Sequence, residues 1–252
     1  MNAFRLTLEY DGTDYSGWQQ QPDRRTVEGV LRAAITAVTG EDAPITAAGR
    51  TDAGAHSHGQ VVGCRLERSW SPTRLAAALN ARLPEDVVVR EAAVAPTEFH
   101  ARFDAKERSY RYVVVPNRQR SPMSRRFAWE VTGDLDLRAM QQAAKALLGT
   151  HDFCGFGKAP NGGSTVRTIN DISIRQAPLA GAGDSSAVII EVNANAFLTG
   201  MMRGIAGALV SVGQGKATVA EFSAMLQQPE IRPIRLIVAP ARGLHQWKVT
   251  YS

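Results

Sequence analysis

Residues 47–60 read Ala-Ala-Gly-Arg-Thr-Asp-Ala-Gly-Ala-His-Ser-His-Gly-Gln. Gly49, Gly54 and Gly59 let a backbone take positive φ or approach another group closely. One cation, Arg50, and one carboxylate, Asp52, lie between the first two glycines. The glycines argue against a regular helix or strand there. The stretch reads as a loop holding two charges in fixed register, the kind of segment that often carries chemistry on a rigid scaffold. The pattern equally fits an Asx-turn or a helix cap at Asp52. The chain on either side has to separate these readings.

On the N-terminal side, Phe4, Leu6, Leu8 and Tyr10 alternate with polar neighbours, the period of a half-buried strand. Asp11-Gly12-Thr13-Asp14 ends it as a turn. Tyr15-Ser16-Gly17-Trp18-Gln19-Gln20-Gln21, with Arg24 and Arg25 after it, suits exposed aromatics beside arginines, or a core position for Trp18. Val27, Val30, Leu31, Ala34, Ile35 and Val38 follow helical spacing, closed by Gly40. Beyond the loop, Val62, Cys64 and Leu66 suggest a strand. Ser71-Pro72 opens a helix through Leu79, and Val87–Val94 is another strand.

A similar order follows. Tyr110, Tyr112 and Val114 mark a strand; Leu137, Met140, Ala144 and Leu147 mark a helix stopped by Gly149. Residues 153–164 lack periodicity and read as a mobile loop. Strands are expected over Val166–Ile174 and Val188–Val192, then an apolar helix from Leu198 to Val212. Thr218 with Glu221 is a capping box, and Trp247, Val249 and Tyr251 end the chain as a strand. The expected domains are an N-terminal α+β half, 1–105, carrying the Asp52 loop, and a C-terminal α+β half, 106–252.

The chain has 252 residues, 44% hydrophobic and 21% charged, ordinary values for a globular protein. No run of about 18 apolar residues suggests a membrane span, and the alternating N-terminus is unlike a signal peptide. A cytoplasmic protein without a membrane partner is expected. The net charge of +5 is unevenly spread. Residues 102–126 hold Arg102, Lys106, Arg108, Arg111, Arg118, Arg120, Arg125 and Arg126 against Asp104 and Glu107. Such a cluster is the electrostatic footprint of a phosphate backbone, although an Arg-rich chain also follows from a GC-rich genome.

His56 and His58 beside Asp52 form a thin metal-ligand pattern without a second carboxylate cluster. Gly157-Lys158 fails as a phosphate loop, because Asp152 stands where the first glycine belongs and Ala159 where Ser or Thr belongs. Cys64 and Cys154 form neither a C-x-x-C pair nor a supported Cys-His nucleophile. Asp52 remains as a carboxylate nucleophile or base without cofactor or metal. It needs a cation nearby to stay ionised in a water-poor pocket. Arg50 is one candidate. Arg203, the only charge from Ala196 to Val212, is the other. Breaking a buried pair of that kind costs about 3–5 kcal/mol.

Gly49-Arg50-Thr51-Asp52-Ala53-Gly54 resembles the signature of the tRNA pseudouridine synthase A family. The likeness continues, in the family's order, through Tyr10-Asp11-Gly12, Gly17-Trp18-Gln19, Gln60-Val61-Val62, Phe99-His100-Ala101-Arg102-Phe103, Arg108 with Tyr110-Arg111-Tyr112, Val166-Arg167-Thr168-Ile169, Asn195-Ala196-Phe197-Leu198 and Met202-Arg203. It covers essentially the whole chain. The resemblance implies isomerisation of uridine to pseudouridine at positions 38, 39 and 40 of the tRNA anticodon stem-loop, by base flipping. It implies Asp52 as nucleophile, on base or ribose, with Tyr110 stacked on the uracil and Arg203 paired with Asp52. Arg50 would fill the place of the flipped base, and Leu244 would pack in the pocket. Arg102, Arg108 and Arg111 would contact the RNA backbone.

The resemblance further implies an α+β pseudouridine synthase fold: two similar α/β halves joined through a mainly antiparallel mixed sheet with a central cleft. It implies tRNA as partner and a homodimer, with no cofactor. Two departures stand out. Thr199-Gly200 replaces a common pair of histidines, and His245-Gln246 follows Gly243-Leu244 where a second aliphatic residue is common. A non-catalytic RNA-binding protein and a metal hydrolase using Asp52, His56 and His58 are the rival readings.

Overall fold

The computed structural model describes residues 2–117, 121–159, 162–178, 186–227 and 237–251. Contacts divide the chain into two units, Met1–Lys106 with Gln246–Ser252, and Glu107–His245. Arg118 and Arg120 of the basic segment lie outside the described residues.

In the first unit, β1 (Asn2–Tyr10) carries the alternation read from sequence, with Phe4, Leu6, Leu8 and Tyr10 all buried. It pairs antiparallel with β3 (His56–Leu66), setting Phe4 against Cys64 and Leu6 against Val62. On its other side it pairs antiparallel with β4 (Val87–Ala95). The short β2 (Ile45–Ala47) and β10 (Leu244–Thr250) both lie beside β3, giving the order β4-β1-β3-β10 with β2 branching from β3. Helix α1 (Val27–Thr39) starts where the Thr26 side chain accepts the Gly29 amide, and stops at Gly40, whose φ is 77°. Its apolar face joins Leu75 and Leu79 of α2 (Pro72–Asn80) over the buried face of β1.

The second unit orders β5 (Glu107–Asn117), β9 (Ser186–Ala194), β8 (Val166–Pro178) and β7 (Gly149–Asp152) as neighbours, each pair antiparallel. The short β6 (Trp129–Thr132) runs parallel to β5. Helices α3 (Leu137–Ala144), α4 (Met201–Gly213) and α5 (Val219–Gln227) pack on one another, with α4 buried almost all round. Glu221 accepts the Thr218 amide at 2.7 Å and Thr218 Oγ1 accepts the Glu221 amide at 3.1 Å, so the capping box forms at α5. The α+β class and the mixed, mainly antiparallel pairing expected from sequence are what the chain forms.

Three expectations need correction. The glycine-rich loop ends at Ala55, not at Gln60, because β3 begins at His56. Tyr15 is not an exposed stacking platform, and of the two readings of Trp18 the core position holds; each is 3% exposed. The described part of 153–164 is anchored, since Phe153 and Phe156 are buried and the Phe156 ring sits 5.7 Å from that of Phe222. A Cβ on Gly204 of α4 would collide with the Phe156 carbonyl, so glycine there permits that close seat. Among the described residues, no helix is long and apolar enough to cross a membrane.

Candidate active site

The loop between β2 and β3 is held at nearly every residue around Asp52. The Ala48 amide donates to the Val61 carbonyl at 2.8 Å, the last backbone bond before the loop leaves β3. Gln60 Nε2 donates to the Gly49 carbonyl at 2.7 Å. The hydroxyls of Thr51 and Tyr10 hydrogen-bond at 2.8 Å, and the Thr51 carbonyl accepts the Trp18 amide at 3.1 Å. The Asp52 carbonyl accepts the Ala55 amide at 3.1 Å, and the Gly54 amide reaches the Tyr15 carbonyl at 3.2 Å. Gly17, at φ 91°, approaches so closely that a Cβ there would sit 2.8 Å from the Thr51 carbonyl oxygen.

Arg50 is exposed and Asp52 half-buried, both on a backbone fixed by their neighbours. A loop so held loses little further entropy when it receives a ligand. The brace has its own support. Tyr15 Oη donates to Asp86 at 2.6 Å, and Arg25 pairs with Asp86 at 2.9 Å while lying 4.1 Å over the Tyr15 ring. Burial, then the hydrogen bond to Asp86, pushes the Tyr15 phenol well above its ordinary range.

The two imidazoles stand at the start of β3, each with a neighbour of its own. His56 is buried and its Nδ1 accepts the Gly12 amide at 3.1 Å. His58 packs its ring on Trp247, with centroids 4.5 Å apart. Burial pushes the Cys64 thiol up to about 12, which leaves it protonated and unreactive at neutral pH.

In the second unit, Tyr110 lies on β5, 8% exposed, with the Phe197 ring edge-on at 4.7 Å and 67°. Phe197 is placed by the turn between β9 and α4. There Asn195 Oδ1 accepts the amides of Thr168 at 3.0 Å and Ala196 at 2.7 Å, and Arg108 Nη1 donates to the Asn195 carbonyl at 2.7 Å. Two of the quoted sequence stretches, Val166–Ile169 and Asn195–Leu198, thus build the seat of a third residue, Tyr110. Arg203, half-buried on α4, donates from Nε to the Ala239 carbonyl at 2.7 Å and accepts the Ala239 amide on its own carbonyl at 3.1 Å. Tyr112 Oη donates to the Pro240 carbonyl at 2.6 Å, and burial raises its phenol above the usual range while Arg203 and Arg242 pull it down. These bonds staple the segment that leads into Leu244, which is buried at the start of β10.

The basic residues separate. Arg108 is buried and Arg111 is held by Glu191 at 2.8 Å across the β5–β9 pair. Arg102, Lys106, Arg125 and Arg126 are exposed. Sequence reasoning assigns no role to Phe197, Asn195, Gln60 or Thr51. Each stands inside a quoted stretch, but partners far apart in the chain give it its position. Asp52 and Arg50 belong to the first unit, Tyr110, Arg203 and Leu244 to the second.

A family model described as tRNA pseudouridine synthase matches residues 7–104 and 143–252. A tRNA pseudouridine synthase A from Citrifermentans bemidjiense is 39% identical over 254 residues, spanning 100% of this chain and 98% of the relative. Proteins of the same name from a Roseiflexus species, 41% identical over 100% of this chain and 91% of the relative, and from Brevibacillus brevis, 40% identical over 100% of both, are similar to the same extent.

Proposed function

The chain belongs to the tRNA pseudouridine synthase family, and from that premise we propose that it isomerises uridine to pseudouridine in tRNA, at positions 38, 39 and 40 of the anticodon stem-loop. The reaction breaks the bond from uracil N1 to C1′ of the ribose, joins C5 to C1′, and releases the C5 proton to solvent while N1 gains one. Nothing is oxidised or reduced.

Asp52 is the nucleophile in this reading, adding to the base or to the ribose carbon. The observation that carries it is the bracing of its loop. Gly49, Thr51 and Gly54 are tied to the scaffold and the Asp52 carbonyl closes a turn onto the Ala55 amide, while the carboxylate-bearing residue stays half-buried. The family resemblance gives Arg203 as the partner of Asp52, Tyr110 as the ring that stacks on the uracil, and Leu244 as apolar wall. Extracting a stem uridine costs a few kcal/mol, about what stacking on one aromatic ring, ~1–3 kcal/mol, returns. Arg50, exposed beside Asp52, fills the vacated stem. The exposed cations Arg102, Lys106, Arg125 and Arg126 hold phosphates. We further propose a cytoplasmic homodimer, with the basic surface of one subunit gripping the tRNA whose uridine enters the other.

The test uses an unmodified tRNA transcript carrying tritium at uridine C5, with no metal or nucleotide added. The wild type should release tritium, and Asp52→Ala should bind the transcript but release at a rate lower by on the order of 10⁴-fold or more, as for loss of a nucleophile elsewhere. Binding by both proteins without release would instead favour an RNA-binding protein. Full activity from a monomer in sedimentation would remove the dimer.

A further inference from the structure

Three polar side chains are sealed inside the first unit behind the Asp52 loop. Gln60 and Gln246 are each 0% exposed and Ser57 is 1% exposed. A buried primary amide is costly unless its donors and acceptor are met. Here they are met in a chain. Gln60 Nε2 donates to the Gly49 carbonyl at 2.7 Å, Gln246 Nε2 donates to Gln60 Oε1 at 3.2 Å, and Ser57 Oγ lies 3.3 Å from the Gln246 carbonyl and 3.5 Å from Gln246 Oε1. Ser57 Oγ in turn accepts the Gly59 amide at 3.2 Å.

The chain has one consistent polarity. A carbonyl can only accept, so the Gln60 group facing Gly49 must be the NH₂. The Gln60 oxygen then faces Gln246, which must meet it with its own NH₂. That turns the Gln246 oxygen toward Ser57, whose hydroxyl can donate. Flipping either amide sets acceptor against acceptor. The order of donors is therefore dictated from the Gly49 end: even if both glutamines flipped together, the Gly49 carbonyl would face an oxygen.

The end point matters most. After the Ala48–Val61 bond the loop departs from β3, and the Gln60 side chain supplies the next bond in place of the ladder. On the other side of Arg50, Thr51 is pinned by Tyr10 and Trp18. The backbone that presents Arg50 and Asp52 is thus clamped from two sides, one of them this relay.

We infer that Gln60 is a positioning residue for the reaction, and that Gln246 acts through it by donating to its amide oxygen and holding the side chain in place. The inference rests on the proposed role of Asp52. Gln60→Met keeps the length of the side chain and removes the donor; Gln60→Glu exchanges the donor for an acceptor; Gln246→Met removes the donor that meets the Gln60 oxygen. Each variant is read by single-turnover tritium release under saturating enzyme, by tRNA affinity in filter binding, and by thermal melting.

Gln60→Met should slow the single-turnover step by about 10- to 100-fold, the scale of an ångström of misplacement, with tRNA affinity within about twofold of wild type. Gln246→Met should cost less, about 3- to 10-fold, and the double variant should be no slower than Gln60→Met alone, because the two act as one unit. Gln60→Glu should be slow at pH 8 and recover as pH falls, since a buried carboxyl protonates readily and then regains a donor; the wild type has no such recovery. A folded Gln60→Met with wild-type rate overturns the inference, as do multiplying losses in the double variant. Should Gln60→Met fail to fold, an undiminished rate in Gln246→Met, or no low-pH recovery in Gln60→Glu, overturns it equally. Absence of release by the wild type would sink the proposed activity instead, so the two failures are separable.

Discussion

The loop at Gly49–Asp52 and the basic segment at 102–126 both stand out in the sequence, and the fold treats them in opposite ways. Around the loop, polar groups from Tyr10, Tyr15, Trp18 and Gln60 converge to hold a few residues of backbone, and Gly17 leaves room for the close approach. Along the basic segment, residues adjacent in sequence are dispersed: Arg108 and Arg111 turn to internal partners, whereas Arg102 and Lys106 face solvent. A motif rich in glycine marks a place where the chain gathers support. A run of arginines marks only where charge is available, and the partners each one meets in the fold then decide which of them can meet a ligand.

The strongest way to break that contrast is to remove the room that gathering needs. Gly17→Ala places a methyl at φ 91° and 2.8 Å from the Thr51 carbonyl oxygen, both unfavourable. A loss of about 2–3 kcal/mol is expected, which for a chain of this size lowers Tm by roughly 4–12 °C. The loop should suffer beyond this global effect, with tritium release falling further than the melting curve explains at the assay temperature. Gly40→Ala is the control. It also has positive φ, 77°, but meets nothing within 4 Å, so it should cost Tm without a separate loss of rate.

What can be read from the sequence divides along the same line. Alternation at Phe4–Tyr10, helical spacing at Val27–Val38 and the Thr218–Glu221 capping box are local signals, and the structure forms each one. Short strands are not legible: β2, β6 and β7 have three or four residues, too few for a period to declare itself. The start of β3 is hidden by Gly59, which looks like a turn but is glycine because the Trp247 carbonyl oxygen lies against it, 2.6 Å from where a Cβ would be. The polar neighbours of Tyr15 and Trp18 suggest exposure and leave the core position of Trp18 undecided, because their burial is set by α1, β1 and the loop. Gln246 registers only as a departure from an aliphatic residue; its partner Gln60 is 186 residues away, and no local pattern announces such a bond.

The second contrast is between arginines of one cluster. Arg102→Ala should weaken tRNA binding by several-fold at moderate salt and reduce the slope of log K against log salt by about 1, the effect of one phosphate contact. Arg111→Ala should leave that slope closer to wild type. Its guanidinium is held by Glu191 at 2.8 Å, so its loss acts mainly on the β5–β9 pair. Stability should fall by about 1 kcal/mol or less for a partly exposed pair. Equal slope changes for the two variants would mean that Arg111 reaches the RNA despite Glu191, and the distinction between gathered and dispersed polar groups would lose its meaning for this segment.

The smallest effect probes the support behind the loop. Burial tends to raise the Asp86 carboxyl, but the hydrogen bonds from Arg25 and Tyr15 outweigh it and hold the group below its ordinary value. A carboxylate depressed in the folded state contributes stability above its unfolded pKa, about 3.9, and that contribution is lost as pH falls through the folded value. The wild type should therefore lose more Tm between pH 5 and pH 3 than Asp86→Asn does, while lying above it at pH 7. Because Tyr15 also accepts the Gly54 amide on its carbonyl, loosening Tyr15 should reach the loop only weakly, through one backbone bond at 3.2 Å. Tritium release by Asp86→Asn at pH 7 should stay within about threefold of wild type, a barrier change of less than ~1 kcal/mol. A drop as large as that of Gln60→Met would place the Tyr15–Asp86–Arg25 cluster among the groups that position Asp52, and would extend the braced region out to the surface of the first unit.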